Sequence, residues 1–242
     1  MSATLFIADL HLDDSRPQIT TLFERFLASD SVRDADALYI LGDLVEAWIG
    51  DDDDAELLQR IAHATRAVHD AGVPVYFMAG NRDFLLGSDY AQRAGFSMLD
   101  DGTVHDLYGT PTLLMHGDLL CTDDVAYQTV RKQVRTPEWK AQVLGMPLEA
   151  RRAFAAKARA DSKAHTGSTM ESIMDVNQDA VAEAMRQAGV TRLIHGHTHR
   201  PAVHSLEVDG QPAKRVVLGD WYEHGSMLEI TPHHLQLRGL SD

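Results

Sequence analysis

Short apolar runs alternate with amphipathic stretches along this chain, and five of the runs stop at metal-binding side chains. Residues 4–8 (Thr-Leu-Phe-Ile-Ala) read as a strand. Pro17 then opens a helical pattern in which Ile19, Leu22, Phe23, Phe26 and Leu27 recur three and four residues apart. Residues 37–41 form a second strand and 55–71 a second helix closed by Gly72, and strands continue at 73–78 and 112–115. Later, 176–188 reads as a helix closed by Gly189, with strands at 192–194, 203–208, 215–218 and 227–230. This rhythm predicts an α/β fold with a largely buried sheet, and 242 residues suffice for one large core.

From 123 to 175 no strand pattern appears, and Val130, Val134, Trp139, Val143, Leu144, Leu148 and Phe154 give a helical composition. The domains expected are therefore a core of 1–122 with 176–242, and a helical insertion or cap of 123–175. Part of the insertion is also basic. Nine Lys and Arg residues against three acidic ones give the segment from Arg131 to Lys163 a charge of +6, against −20 for the rest of a chain of net charge −14. That segment is either a solvated helical face or a surface for anionic lipid or a phosphorylated substrate. The acidic run 51–54 is expected to cap the second helix.

The overall charge argues against general nucleic-acid binding, which needs a basic surface. One cysteine, Cys121, excludes a disulfide framework and a cysteine-rich zinc site. No secretion-signal pattern opens the sequence, and no stretch approaches the roughly 20 apolar residues of a membrane span. A soluble or peripheral cytoplasmic protein is the expectation.

The five polar endings are Asp9-Leu10-His11, Gly42-Asp43, Gly80-Asn81-Arg82-Asp83, His116-Gly117-Asp118 and Gly196-His197-Thr198-His199. Loops at the carboxyl ends of strands in an α/β sheet converge on one edge, where functional side chains gather. In an extended chain the two-residue spacing sends Asp9 and His11 to one side. Gly42 and Gly80 permit tight turns just before Asp43 and Asn81. The combined set of Asp9, His11, Asp43, Asn81, His116, His197 and His199 carries oxygen and nitrogen but no sulfur, which suits manganese, iron or zinc. Seven ligands exceed one tetrahedral ion but serve two ions with a bridging carboxylate, for which Asp43 is the candidate. His195 lies beside the cluster and is one histidine more than this scheme needs. The remaining histidines read as ordinary polar side chains.

The order D-x-H, GD, GN, H, GHxH resembles the calcineurin-like metallophosphoesterases. Within them the chain is similar to the UDP-2,3-diacylglucosamine hydrolases of lipid A biosynthesis, on residues 6–11, 39–44, 47–51, 80–85, 115–118, 173–178, 194–201 and 217–221. The resemblance implies a four-layered sandwich of two mixed sheets flanked by helices, with a helical lid and two manganese ions. One ion would take Asp9, His11, Asp43 and His199, the other Asp43, Asn81, His116 and His197. The implied reaction is attack of metal-activated water on the α-phosphorus of UDP-2,3-diacylglucosamine, giving UMP and 2,3-diacylglucosamine 1-phosphate (lipid X).

Asp43, Asn81, Arg82 and His197 are the catalytic candidates. Many members of the superfamily place a histidine after Gly-Asn, as a proton donor to an alkoxide; Arg82 instead binds phosphate with a planar fork. A phosphate leaving group needs no proton, so Arg82 points to pyrophosphate cleavage. By the same resemblance, substrate contacts map onto Asn81, Arg82, Asp124, Ser162 and His197. Thr166 and Thr169 stand where the family usually has Asn and Lys, so the head-group contact is expected to differ there. The expected setting is a monomer, peripheral on the anionic cytoplasmic face of the bacterial inner membrane, with no nucleic-acid partner. A metal-dependent nuclease or other phosphodiesterase, and a non-catalytic metal scaffold, are the competing readings.

Overall fold

The computed structural model describes residues 3–168 and 175–240. β1 (Thr4–Ile7), β2 (Ala37–Leu41) and β3 (Val75–Met78) run parallel, and their apolar sequences follow from burial on both faces. Successive strand side chains point to opposite faces. Leu5 and Ile7 of β1 therefore join one core cluster while Phe6 joins another, and in β2 Leu38 and Ile40 part from Tyr39 and Leu41 in the same way.

α1 (Pro17–Leu27) is followed by a short α2 (Asp30–Arg33), and α3 (Glu56–Asp70) and α4 (Ser88–Ala94) come after β2 and β3. Phe23 and Phe26 of α1, Leu58 and Ile61 of α3, and Tyr90 of α4 cover the first cluster. β4 (Phe96–Leu99), β10 (Gly225–Ile230) and β11 (Leu235–Leu240) complete a six-stranded sheet in the order β11-β10-β1-β2-β3-β4. β5 (Thr103–Leu107), β6 (Thr110–Met115), β7 (Arg192–His195), β8 (Ala202–Val208) and β9 (Gln211–Val217) form a second sheet in the order β5-β6-β7-β9-β8. Both sheets are mixed. Phe6, Tyr39, Leu114, Ile194, Val216 and Leu228 fill the space between them. α8 (Gln178–Ala188) covers the far face of the second sheet through Val181 and Met185. The result is the four-layered α/β sandwich that the alternation and the resemblance imply.

Between β6 and α8 the described chain forms α5 (Val125–Val134), α6 (Pro137–Leu144) and α7 (Leu148–Ser168), with no strand. Asp124 accepts from the Tyr127 N–H to start α5, and Thr136 from the Trp139 N–H to start α6. The basic residues of this stretch mostly turn toward the core. Arg131 pairs with Asp118 and Asp101, Arg135 donates to the Gly80 carbonyl, Lys140 donates to the Phe84 carbonyl, and Arg159 pairs with Glu46. Arg151, itself buried, forks onto Asp52 and also donates to the Ile49 and Met146 carbonyls. The uneven charge is thus largely an ionic contact between the inserted helices and an acidic core. Trp139 also faces inward, with ring centroids 5.9 Å from Phe84 and 6.0 Å from Phe154.

The acidic run 51–54 does something other than cap the second helix. α3 starts at Ala55 without a side-chain cap. Asp51 instead reaches across to α4, where its two oxygens accept from the Gly87 and Tyr90 N–H groups at 2.9 and 3.0 Å. Asp52, Asp53 and Asp54 pair with Arg151 and Arg152 of α7. A short-range dipole argument missed this because the partners lie more than thirty residues away. Asp51→Ala removes the acceptor of three N–H groups, those of Gly87, Tyr90 and the Trp48 indole, and is expected to cost about 1–3 kcal/mol in urea unfolding, whereas Asp54→Ala at an exposed position should change stability by less than ~0.5 kcal/mol.

Candidate metal centre

The five polar words all follow strand ends. Asp9 follows β1, Asp43 follows β2, Asn81 follows β3, His116 follows β6 and His197 follows β7, so three come from one sheet and two from the other. The carboxyl ends of those strands meet at one edge of the sandwich.

The local backbone there is not extended, contrary to the two-residue alternation argument for Asp9 and His11. Asp9, His11, Asp43, His197 and His199 all adopt left-handed φ values between 46° and 69°. Residues with a Cβ enter this region at a cost of about 1–3 kcal/mol each, and persist when the surroundings hold them there. Hydrogen bonds between the loops do the holding. The Asp9 N–H donates to the Gly42 carbonyl, His11 N–H to Asp43, Trp221 N–H to Asp9 and Gly196 N–H to His116, at 2.8 to 3.1 Å. Glycine is required twice for close approach. A Cβ on Gly42, itself at φ +90°, would lie 2.6 Å from the Gly80 Cα, and one on Gly80 would lie 2.2 Å from Asp43 Oδ1.

The donors converge in two groups. Asp9, His11 and His199 offer atoms within 4.8 Å of one another, and so do Asp9, Asp43 and His116. The Nε2 atoms of His11 and His199 face each other at 3.2 Å. Asp9 is common to both groups, and Asp43 of the second also approaches the first, with Oδ2 3.8 Å from His11 Nε2 and Oδ1 3.7 Å from His116 Nε2. Asn81 Oδ1 sits 2.9 Å from both His116 Nε2 and His197 Nδ1, bringing the remaining two ligand candidates to the same point. His116 Nδ1 donates to the Leu41 carbonyl at 2.9 Å, which fixes the ring with Nε2 directed into the site.

Such a gathering fits cations. Asp9 Oδ1 is buried with no hydrogen-bond partner, although it lies 3.5 Å from His199 Nε2. Carboxylate, amide and imidazole groups of Asp43, Asn81, His116 and His197 are gathered beside it, a donor set of oxygen and nitrogen that suits hard to borderline cations. Burial favours neutral imidazole and holds His11 down at about 4; burial with the His116 charge does the same for His197, also at about 4. For His116 the downward effect of burial is outweighed by Asp43, Asp118 and Asp9, which raise it to about 9. Burial pushes Asp9 up, but the His199 contact prevails and lowers it to about 2. The site thus keeps carboxylate charge in a dry setting.

Arg82 flanks this centre. Its N–H donates to Asp43 Oδ1 at 2.8 Å, its Nε lies 4.0 Å from Asp43 Oδ2, and its Nη1 reaches Ser162 Oγ of α7 at 3.5 Å. Asp124 is buried at the start of α5, near Tyr127, whose ring centroid is 5.9 Å from that of His197. Thr169 and the side chain of Thr166 lie outside the described residues. His195 turns away from the donors: Nδ1 donates to the Gly196 carbonyl, and Nε2 accepts from Arg215 at 3.4 Å.

Supporting acids went unassigned in the sequence. Asp83 accepts from the Leu44 and Gly80 N–H groups, each at 2.7 Å, and so ties the Asp43 and Asn81 loops together. Asp118 is buried and takes hydrogen bonds from Tyr127 and Arg131 at 2.7 Å. Both stand inside the motif words, which was the available signal. Asp220, within the 217–221 word, faces His199, and Glu46, which faces His11, stands in none of the words.

The family model for calcineurin-like phosphoesterases matches residues 3–201. A UDP-2,3-diacylglucosamine hydrolase of Xanthomonas oryzae pv. oryzae is 58% identical over 234 residues, 94% of each chain. The protein of the same name from Cellvibrio japonicus is 55% identical over 235 residues, covering 97% of this chain and 98% of the relative. Among solved structures, a dimetal phosphatase from Danio rerio has a TM-score of 0.51 at 15% identity, covering 98% of this chain and 95% of its own. An archaeal phosphodiesterase has a TM-score of 0.50 at 11% identity, covering 98% and 99%. The distant structures speak for the fold alone, whereas the family match and the near relatives span the whole donor set. The chain belongs to the calcineurin-like phosphoesterases, in the group of the UDP-2,3-diacylglucosamine hydrolases.

Proposed function

We propose that this chain hydrolyses the pyrophosphate bond of UDP-2,3-diacylglucosamine. The carrying observation is the donor set itself: seven side chains bearing oxygen or nitrogen meet at one edge of two sheets, with Asp43 oxygens 3.8 Å from His11 Nε2 and 3.7 Å from His116 Nε2. The name borne by relatives at 55–58% identity supports the substrate. In this reading, Asp9, His11, Asp43 and His199 hold one ion and Asp43, Asn81, His116 and His197 the other, with manganese as the metal suited to that set. Two such cations supply Lewis-acid charge and lower the pKa of water.

The reaction forms a bond from water oxygen to the α-phosphorus and breaks the bridging bond to the β-phosphate oxygen. UMP and 2,3-diacylglucosamine 1-phosphate leave. Asn81 and His197 face the transferred phosphoryl group. Arg82 fixes the Asp43 carboxylate through its N–H, and its guanidinium meets the charge that grows on the departing phosphate. Asp124, Ser162, Thr166 and Thr169 serve the head group from the inserted helices. Those helices act as a cap, with the Phe84, Trp139 and Phe154 rings as an apolar wall for acyl chains. The donor set is complete in one chain, which supports a monomer as the acting unit.

Peripheral docking on the anionic cytoplasmic face of the inner membrane completes the proposal. No helix among the described residues is long and apolar enough to cross a membrane. With most inserted cations paired to the core, exposed Val125, Val130, Leu144 and Phe154 are the contacts offered to lipid.

Metal-stripped protein should be inactive on UDP-2,3-diacylglucosamine, and manganese should restore UMP release; turnover without metal would sink the two-ion reading. Arg82→Lys loses the planar fork and should lower kcat/KM about ten- to hundredfold, equivalent to ~1.5–3 kcal/mol for a charged hydrogen bond. Full activity of that variant on the native substrate would remove Arg82 from its role. Vesicles of anionic lipid should carry the protein upward in a flotation gradient at low salt, and protein left in the bottom fraction would remove the membrane reading.

A further inference from the structure

We infer that Glu46 is a positioning residue for the ion held by His11, and that it ties this ion to the inserted helix α7. This rests on the two-ion reading above. Glu46 lies just past Val45, whose neighbour Leu44 is paired to the Leu12 loop, so the backbone brings its side chain beside the Asp9-to-His11 segment. Its Oε2 sits 3.0 Å from His11 Nδ1. Neither atom has a hydrogen-bond partner elsewhere, both are buried, and their alignment falls short of a hydrogen bond at that distance. Two buried polar atoms left in this state each carry a desolvation penalty, and a small turn of the ring toward an ion on Nε2 brings Nδ1–H onto the carboxylate. The contact then selects the tautomer whose Nε2 lone pair points at His199 Nε2 and Asp43, and it makes that nitrogen a better donor.

The other oxygen of Glu46 is engaged by Arg159, which projects from α7. The guanidinium balances the carboxylate and prevents it from swinging away from His11. His199 has a counterpart arrangement, with Nδ1 3.4 Å from Asp220 Oδ2. His116 differs, since its Nδ1 is backed by the neutral Leu41 carbonyl. Carboxylate backing is therefore found behind both histidines of the first donor group, and Glu46 is the member that also contacts the insertion.

The test is manganese binding to metal-stripped wild type, Glu46→Ala and Glu46→Gln, read by calorimetry and by the manganese spin-resonance signal, with no substrate present. Wild type should bind two ions. Glu46→Ala should weaken one of them about 10- to 100-fold, leave the other within about twofold, and keep the melting temperature of the metal-stripped protein. Glu46→Gln retains an acceptor opposite His11 Nδ1 and should fall between the two. Unchanged affinity for both ions in Glu46→Ala overturns the inference, as does an equal loss at both ions accompanied by a lower melting temperature. Fewer than two ions in wild type contradicts the two-ion reading itself.

Discussion

The left-handed backbone at five of the seven metal-ligand candidates is the constraint on which the rest of the site depends. Strand ends deliver Asp9, Asp43 and His197 to one edge, but a strand cannot turn its final side chains inward without leaving the extended region. The αL step does this in one residue. It is costly for a side chain with a Cβ, so it survives only where inter-loop hydrogen bonds and glycine contacts hold it. Gly42, Gly80 and Asp83 supply that framework, and the Trp221 N–H closes it from the loop after β9. The packing of two sheets gathers the donors at one edge.

The inserted helices address the same edge by electrostatics. Their surplus of Lys and Arg meets the carboxylates and carbonyls of the core loops, with Arg131 on Asp118, Arg151 on Asp52 and Arg159 on Glu46. Arg131 and Asp118 are both well shielded, so their contact is screened less by salt than a surface pair would be. Ser162 of α7 touches Arg82, and so the chemistry of the centre and the surface that faces it share one network.

Much of this is legible in the sequence. Central strands were readable because burial on both faces makes them continuously apolar, and the helices because Gly72 and Gly189 mark their ends. β4, β5 and β11 were missed, and each is a sheet edge with exposed positions and polar residues such as Asp106 and Arg238 that dilute the pattern. The donor residues were identifiable from their place after apolar runs. Their conformation was not, since alternation in an extended chain says nothing about a left-handed turn. Asp51 and Glu46 were misread or overlooked for a shared reason: their partners are distant in sequence, and a lone acid beside a strand end carries no local mark of what it will meet. The basic segment was read in isolation as a possible lipid surface, while the acidic loops that take up most of it lie in other parts of the chain.

Direction of water to the α-phosphorus at the edge where the donors meet is the central step of the proposed reaction. Hydrolysis of UDP-2,3-diacylglucosamine by the manganese-restored protein in water labelled with heavy oxygen tests this most directly, with both products analysed by mass spectrometry. The label is predicted in UMP. Label in the phosphate of the diacylglucosamine product would place the attack on the β-phosphorus and contradict the account.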